Sequence, residues 1–514
     1  MKKTITICIL FFAWISQAQS FEWFKTPPIE FDGNGSLISY PNTIDPFDHI
    51  YVAGYQDNRF LYGDIFGHLF LNKYTATGDL LFSKTIEGHV QVYNIKSDAL
   101  GNILMLAGYV ENIKIGDWEL TTVDQGIQPL LLQFDSEGNL MWHLPLNTID
   151  PYIQHAEAMV IDPISNHYYI AFDNFDDVYI QKIDVHGTII NTITQTDTNR
   201  ITSISLDNEQ NIYAAGSCAS ADATYAGVTV PADFNYNTYV VKYNAMGAFQ
   251  WVKYVEDITC SAPMVVARTP NEVYFCSYLF GAYTFGDFTA DGPESNAFGD
   301  FFLTKLDANG LFQWVREVPG DGFGEFNLGN RNALALDNMG KIYVGGSTSR
   351  TVNWGNGIIS SIPGNSADAA ILQYDADGTL QQIISGGGDW EDRVDGISVD
   401  SNGAVYASGM GYGDTNFGPF AYSAVDYFPY LTKINSTLKI NTNSKEKSLC
   451  YPNPVKDLLY FHNVDGDGVI YNMLGQAVMR FTASSNAPIS IGNLSSGTYM
   501  VALEGYQVQK LIKE

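Results

Sequence analysis

Residues Gly299 to Glu317 read Gly-Asp-Phe-Phe-Leu-Thr-Lys-Leu-Asp-Ala-Asn-Gly-Leu-Phe-Gln-Trp-Val-Arg-Glu. Apolar and polar residues alternate on both sides of Asp307 to Gly310, where glycine suits the positive φ that a tight turn needs. The second alternating run is centred on Trp314. The stretch therefore predicts a β-hairpin.

The same hairpin recurs along the chain, as three of its positions show. The first position holds lysine or glutamine at Lys73, Gln133, Lys182, Lys242, Lys305, Gln373 and Lys433. Five residues later stands a glycine at Gly78, Gly138, Gly187, Gly247, Gly310 and Gly378. Nine residues after the first position stands a large aromatic residue at Phe82, Trp142, Trp251 and Trp314. This spacing predicts seven copies of one structural unit.

A second hairpin precedes each copy. Its first strand ends in aspartate at Asp45, Asp98, Asp162, Asp207, Asp337 and Asp400, with Arg268 as the exception. Six residues later comes a tyrosine in six of the seven units, at Tyr51, Tyr168, Tyr213, Tyr274, Tyr343 and Tyr406, with Leu104 in the other. Each unit is thus four short strands, which we name A, B, C and D. Four antiparallel strands repeated seven times predict an all-β, seven-bladed β-propeller over residues 19–436, since radial closure removes exposed sheet edges.

The last unit lacks the glycine and the aromatic residue after Lys433. Phe21 to Lys25 resembles strand D at Gln250 to Lys253 but has no unit in front of it. We expect this N-terminal stretch to complete blade seven and to close the ring.

The repeated positions predict scaffold rather than chemistry. An aspartate that recurs once per blade beside a tight turn usually accepts hydrogen bonds from backbone N–H groups. The longest connections join strands B and C, which places a ligand site on that face or in the channel mouth. Aromatic-glycine pairs recur even in these connections, for example Phe285-Gly286 and Trp354-Gly355, which indicates a structural role there too.

The array resembles the bacterial secreted β-propeller repeat family in Asp337 to Gly346 (Asp-x-x-Gly-x-x-Tyr-x-x-Gly) and in Phe70 to Tyr74 (Phe-Leu-x-Lys-Tyr). The resemblance covers about Phe21 to Ile434. It implies the fold and an extracellular binding or display role rather than one kind of enzyme.

The composition changes at the end of the array. Residues 437–449 read as a linker, and residues 450–514 predict several short strands, that is, a small Ig-like β-sandwich. This region resembles the C-terminal sorting domain of the type IX secretion system of Bacteroidetes. The motif residues that carry the resemblance are Pro452, Asn453, Pro454, Gly475, Gly497, Tyr499 and Lys513. The resemblance implies recognition by the secretion machinery at the outer membrane and either surface attachment or release.

The N-terminus agrees with export. Lys2 and Lys3 precede an apolar run and a small-residue cleavage site, which predicts a signal peptide at residues 1–18. No later stretch is apolar enough to predict a transmembrane helix. The net charge is -29, which disfavours nucleic acid and anionic lipid as partners. Four cysteines follow the signal, and either one disulfide among Cys218, Cys260 and Cys276 or buried thiols fits them.

The sequence contains no motif that predicts catalytic or metal-binding residues. The histidines lack zinc spacing, and no serine lies in a nucleophile elbow. Asp375 and Asp377 resemble the start of a calcium loop, but no acidic residue completes it, so a hairpin turn is favoured over calcium binding. No cofactor is expected, with calcium as the one candidate. The sequence favours a non-enzymatic binding or display module for a glycan or protein, and the alternative is a carbohydrate-active hydrolase or lyase that uses loop carboxylates.

Overall fold

The chain divides into two units, Met1–Thr437 and Leu438–Glu514, by its internal contacts. The computed structural model describes residues 21–28, 40–61, 64–122, 126–146, 155–174, 177–260, 262–293, 299–320, 325–329, 332–362, 366–434, 449–462, 466–472, 477–484, 487–503 and 509–514. The predicted signal peptide and residues 437–448 of the predicted linker lie outside these ranges.

The first unit begins with β1 (Phe21–Lys25). Blade one comprises β2 (Asn42–Ile44), β3 (Ile50–Leu61), β4 (Asp64–Tyr74) and the first part of β5 (Leu80–Ser97). Blade two comprises the rest of β5, β6 (Ile103–Ile115) with its hairpin partner β7 (Trp118–Thr121), β8 (Gln128–Phe134) and β9 (Leu140–Pro145). Blade three comprises β10 (His155–Ile161), β11 (Tyr168–Asp173), β12 (Asp177–Ile183) and β13 (Ile189–Thr196).

The following blades repeat this antiparallel order. Blade four comprises β14 (Arg200–Leu206), β15 (Ile212–Cys218), the small hairpin β16 (Thr224–Tyr225) and β17 (Val228–Thr229), β18 (Asn237–Tyr243) and β19 (Phe249–Glu256). Blade five comprises β20 (Met264–Thr269), β21 (Glu272–Tyr278), the small hairpin β22 (Ala282–Phe285) and β23 (Phe288–Asp291), β24 (Phe301–Leu306) and β25 (Phe312–Arg316).

Blade six comprises β26 (Glu325–Leu328), β27 (Leu334–Leu336), β28 (Ile342–Ser349), the small hairpin β29 (Thr351–Gly355) and β30 (Ile358–Ser361), β31 (Ala367–Tyr374) and β32 (Leu380–Gly388). Blade seven comprises β33 (Arg393–Val399), β34 (Val405–Phe417) and β35 (Phe420–Ile434), and β1 is its outer strand. The described strand pairings thus form seven blades.

The inner strands close a ring. Each of β2, β5, β10, β14, β20, β27 and β33 contacts the next, and β33 contacts β2. The N-terminal strand takes its predicted place, because Trp23 pairs with Lys433 and Lys25 pairs with Leu431. The first unit is a β-propeller that its own N-terminal strand completes.

The repeated aspartates stabilise the turns between strands A and B, as predicted. Asp207 is typical: its Oδ1 accepts hydrogen bonds from the N–H groups of Glu209 and Asn211, each at 2.9 Å. Its Oδ2 accepts from the hydroxyl of Tyr213 at 2.8 Å. The corresponding turns at Asp45, Asp98, Asp337 and Asp400 use the same two N–H positions.

The repeated lysine and tryptophan join several blades to the next. Lys242 Nζ and Trp251 Nε1 both donate to the carbonyl of Ala308, which is the second residue of the C–D turn of blade five, at 3.5 and 3.0 Å. Lys305 donates in the same way to Ala376 of blade six at 3.1 Å. The tryptophan ring also packs against the turn glycine: a Cβ on Gly310 would come within 2.8 Å of Trp251. The spacing seen in the sequence is therefore an inter-blade contact.

The long B–C connections form hairpins that pack on the preceding blade. Tyr225 of β16 pairs with Gln195 in the outer strand of blade three, and Asn416 pairs with Gly387 of blade six. Apolar residues of these segments are buried between blades at Ile65, Ile113, Tyr225, Phe285, Trp354 and Phe417. In the sequence, the length of the B–C connections predicted a ligand site on their face of the propeller. Much of that length instead packs between the blades and stabilises the fold.

Three cysteines of the propeller are free thiols. Cys218, Cys260 and Cys276 are all buried, and Cys260 Sγ donates to the carbonyl of Tyr278 at 3.3 Å. Of the two alternatives that the sequence left open, the structure shows buried thiols.

The second unit is formed by two small sheets around one core. One sheet contains β36 (Leu449–Tyr451), β37 (Leu458–His462) and β40 (Ile489–Ser490), and the other contains β38 (Gly466–Asn472), β39 (Ala477–Ala483), β41 (Gly497–Leu503) and β42 (Gln509–Lys513). Leu459, Phe461, Ile470, Val501 and Leu511 form its buried centre. This arrangement is an all-β unit with two layers.

Candidate functional site

An aromatic and acidic surface lies where blade six leads into blade seven. We call Trp390, Glu391, Tyr412, Asp414 and Tyr427 the blade-seven patch. The Trp390 side chain is 61% exposed, and its ring centroid lies 5.4 Å from that of Tyr412 at an interplanar angle of 57°. Tyr412 in turn contacts Tyr427 edge to face, with centroids 4.6 Å apart. Glu391 follows Trp390 in the sequence, Asp414 lies two residues after Tyr412, and both are exposed.

The connection that carries Trp390 is fixed by Asp392. This residue is fully buried, and its Oδ2 accepts from the N–H of Gly388 at 2.9 Å while Oδ1 accepts from the N–H of Tyr412 at 3.2 Å. Its own N–H donates to the carbonyl of Ala367 at 2.7 Å. Asp392 therefore ties the connection to blade six and to the blade-seven hairpin, which orients Trp390 and Tyr412 together.

A second carboxylate lies close to Asp392. A Cβ added to Gly387 would lie 2.8 Å from Asp368 Oδ1 and 2.7 Å from Asp392 Oδ2. The two carboxylate oxygens are therefore separated by at most the sum of these two distances. Burial raises the pKa of Asp368 to about 6. Burial also raises the pKa of Asp392 to about 7, with further contributions from Asp368 and Glu391 and opposing hydrogen bonds from Gly388 and Tyr412. Glycine at position 387 is what allows both carboxylates to approach.

The arginine near the patch is already engaged. Arg393 Nε lies 2.8 Å from Asp395 Oδ1, and the Asp395 side chain is buried. Burial is the largest cause of the raised pKa of Tyr427, and the negative charge of Glu391 comes second. The patch therefore presents negative charge around an exposed indole ring.

The carboxylate of Asp375, which resembles the start of a calcium loop in the sequence, accepts hydrogen bonds within its own hairpin. Asp375 Oδ1 accepts from the N–H groups of Asp377 and Thr379 at 3.1 and 2.8 Å, and its Oδ2 accepts from Gln381 Nε2 at 2.8 Å. Asp375 thus closes a hairpin turn, as the sequence predicted. Over the ranges that the structure describes, no group of three or more His, Cys, Asp or Glu side chains is placed to hold a metal ion.

The predicted sorting residues meet at the C-terminal strand. Asn453 Nδ2 donates to the carbonyl of Lys510 at 2.7 Å, and Asn453 Oδ1 accepts from the N–H of Ile512 at 2.9 Å. Pro452 and Pro454 flank this asparagine, and both follow cis peptide bonds. The Pro-Asn-Pro segment therefore holds the strand that ends the chain.

The other motif residues border the same strand. Gly497 pairs with Lys513, and Tyr499 pairs with Leu511 and donates its hydroxyl to the carbonyl of Ser495 at 2.8 Å. Gly475 lies outside the described residues. The structure thus brings Asn453, which is more distant in the sequence, to the same strand that Gly497, Tyr499 and Lys513 border or form.

Residues 449–514 match the family described as the secretion system C-terminal sorting domain. The C-terminal unit is a type IX secretion sorting domain. Such a domain marks the chain as a protein that is secreted, or attached to the cell surface, in a Gram-negative bacterium of the Bacteroidetes type. The sorting domain also implies an interaction with the secretion machinery.

Solved structures with propeller folds are similar to the chain at low identity. The Pan2 WD40 domain of Neurospora crassa is 9% identical with a TM-score of 0.41, and the match covers 82% of this chain and 97% of that one. The Dos1 propeller is 9% identical with a TM-score of 0.38, covering 80% of this chain and 95% of that one. Dipeptidyl peptidase 4 of Porphyromonas gingivalis is 13% identical with a TM-score of 0.34, covering 95% of this chain and 62% of that one.

No curated protein sequence matches the chain significantly. Within the described ranges, no helix has the length and apolar character needed to cross a membrane.

The sequence did not single out the blade-seven patch. Asp368 and Asp392 approach each other only because β31 and β32 pair and the chain then turns back toward β33. The one available signal was Asp389-Trp390-Glu391-Asp392, a tryptophan between acidic residues that falls outside the repeated strand-D position.

Proposed function

We propose that the propeller is an extracellular or cell-surface binding module whose blade-seven patch takes a basic segment of a protein partner. The observation that carries the proposal is the exposed Trp390 ring together with the exposed carboxylates Glu391 and Asp414 of the same patch. An indole face attracts lysine and arginine side chains, and neighbouring carboxylates add charge complementarity.

The overall charge of the protein supports a basic partner. The net charge of -29 raises the local concentration of cationic segments at low ionic strength and repels acidic ones. A neutral glycan would gain from the aromatic ring but not from this field. We therefore favour a protein partner over a glycan.

We also propose that residues 1–18 are a signal peptide, that residues 437–449 join the two units, and that the sorting domain follows. Binding needs no cofactor in this proposal, and calcium is the ion to include in its tests.

The alternative function is a carbohydrate-active hydrolase or lyase. The observation that favours it is the close pair Asp368 and Asp392, since two adjacent carboxylates, one of them protonated near neutral pH, are the groups that glycoside hydrolysis uses. Against it, Asp392 is fully buried and both of its oxygens already accept backbone hydrogen bonds. A reacting sugar has no access to that carboxylate without movement of the connection.

The test of the binding function is an array of basic, acidic and neutral peptides and of glycans, probed with the full chain at low and high salt, with and without calcium. We expect basic peptides to bind, with weaker binding at high salt. Trp390→Ala should weaken binding about tenfold, which corresponds to about 1.4 kcal/mol, within the range of a desolvated cation–π contact. Tyr236→Ala removes another exposed aromatic ring, 58% exposed, and should change nothing.

Equal binding of acidic and basic peptides, or binding of neutral glycans alone, would overturn the proposal. Hydrolysis of a sugar substrate that Asp368→Asn abolishes would establish the alternative instead.

A further inference from the structure

The inner strands of the propeller surround a small, partly open cavity. Its volume is about 60 Å³, and its lining comes from inner strands of blades two to seven. The polar lining residues are Asn94, Lys96, Thr202, Ser203 and Asn332, and the others are aliphatic or methionine side chains. Such a cavity holds a few water molecules or one small ion.

Lys96 is the charged residue of this lining. Among the described residues, no carboxylate forms an ion pair with its ammonium group and no atom accepts a hydrogen bond from Nζ. Two carboxylates of the inner strands have other partners: Glu157 pairs with Arg200, and Asp395 pairs with Arg393. Lys96 is half-buried at this cavity, and its positive charge has no paired carboxylate among the described residues of a strongly acidic protein.

Even partial burial of a charge without a partner costs free energy, and a counter-ion at the cavity would offset that cost. Burial lowers the pKa of Lys96, which reflects this cost. The polar neighbours offer limited help: Thr202 donates its hydroxyl to the carbonyl of Pro263 at 2.6 Å, and Ser203 donates to the carbonyl of Val265 at 3.2 Å. The cavity has room for the missing partner.

We propose that this cavity binds a small monovalent inorganic anion of chloride size, held by the Lys96 ammonium. The side-chain amide of Asn332, which makes no hydrogen bond to other described residues, supplies a second donor at the same cavity. The volume of about 60 Å³ admits a halide. The bound anion would neutralise Lys96 at the centre of the ring and so stabilise the contacts of the inner strands.

The direct test is a crystal structure of the protein grown in bromide in place of chloride, with anomalous scattering used to locate the ion. We expect an anomalous peak within hydrogen-bond distance of Lys96 Nζ. The same experiment on Lys96→Met should show no peak there. Density for water alone in the wild-type cavity would overturn the proposal, because the ammonium would then be solvated or deprotonated without an anion.

A solution test does not depend on crystals. At constant ionic strength, replacing gluconate with chloride should raise the Tm of the full chain by roughly 1 °C or more, because a ligand that binds only the folded state stabilises it. Lys96→Met should lose this dependence. Lys114→Met changes an exposed lysine of the same blade and should retain it. An equal response of the wild type in gluconate and chloride would contradict the proposal.

Discussion

Trp23 and Lys433 lie opposite each other in blade seven and donate to the same acceptor, the carbonyl of Ala76 in blade one, at 3.1 and 3.3 Å. The same pair of contacts occurs inside the array, where Lys242 and Trp251 both reach Ala308. In blade seven the two donors come from opposite ends of the propeller sequence. The contact that closes the ring is therefore of the same kind as the contact that joins neighbouring blades within the array.

Trp23→Ala should open this junction. The Trp23 side chain is 6% exposed and packs against Gly78, so its loss removes a buried ring and a hydrogen bond. We expect the free energy of unfolding to fall by about 3 kcal/mol or more. Chemical denaturation followed by tryptophan fluorescence and circular dichroism measures this. Phe60→Ala, at a residue that is 68% exposed, is the control and should cost less than about 0.5 kcal/mol.

Gly378→Ala tests why the C–D turn requires glycine. Gly378 has a φ of 74°, and an added Cβ would lie 2.8 Å from the Trp314 ring. Gly357 has a similar φ of 80° with nothing within 4 Å of the added atom. Both substitutions should cost about 1 kcal/mol through backbone strain, and Gly378→Ala should cost at least another 1 kcal/mol through the collision. Equal losses of Tm in the two variants would show that the ring contact is unimportant.

The repeat spacing predicted the closure of the ring and the glycine of the C–D turn, because each of these features is local to one blade or recurs along the array. The distance of nine residues from Lys242 to Trp251 is a hairpin register, and the next blade supplies the same turn each time. The packing of the B–C hairpins could not be predicted in this way, since their lengths and sequences differ. The approach of Asp368 to Asp392 depends on one irregular connection, and the isolation of Lys96 depends on what the other six blades place around it. Repeats in the sequence therefore identify the scaffold, while the candidate sites lie where the blades differ.

Asp300→Asn should change the pH dependence of stability. Burial raises the pKa of Asp300 to about 7, although its Oδ1 accepts from the N–H groups of Phe301 and Val318 at 2.6 and 2.9 Å. Asparagine keeps that acceptor and removes the charge. Because the folded-state pKa is raised, the aspartic acid favours folding most at low pH, and this contribution is lost as the pH rises toward 7.

The variant should therefore gain stability relative to the wild type between about pH 4 and 7, by at most about 1.4 kcal/mol per pH unit, and the difference should level off above that range. Thermal unfolding of both proteins at a series of pH values measures it. Asp307→Asn, at a partly exposed carboxylate in the following turn, is the control. If the difference in stability between the variant and the wild type did not change with pH, the raised pKa of Asp300 would be contradicted.

Asn453→Ala should loosen the C-terminal strand of the sorting domain. The side chain bridges the carbonyl of Lys510 and the N–H of Ile512. Two residues later, the N–H of Val455 donates to the carbonyl of Ile512 and its carbonyl accepts from the N–H of Glu514. Loss of the side chain leaves the carbonyl of Lys510 and the N–H of Ile512 without this partner. The free energy of local unfolding of β42 should fall by about 1–2 kcal/mol. Hydrogen exchange at Ile512 in the full chain should become at least tenfold faster, since local opening determines exchange in such a strand. Lys456→Ala changes an exposed neighbour with no side-chain hydrogen bond among the described residues and should leave this rate unchanged. If the secretion machinery recognises this strand in its folded form, Asn453→Ala should also lower the amount of protein at the cell surface. Lys456→Ala should leave that amount unchanged. Equal export of the two variants, with faster exchange only in Asn453→Ala, would restrict Asn453 to a structural role.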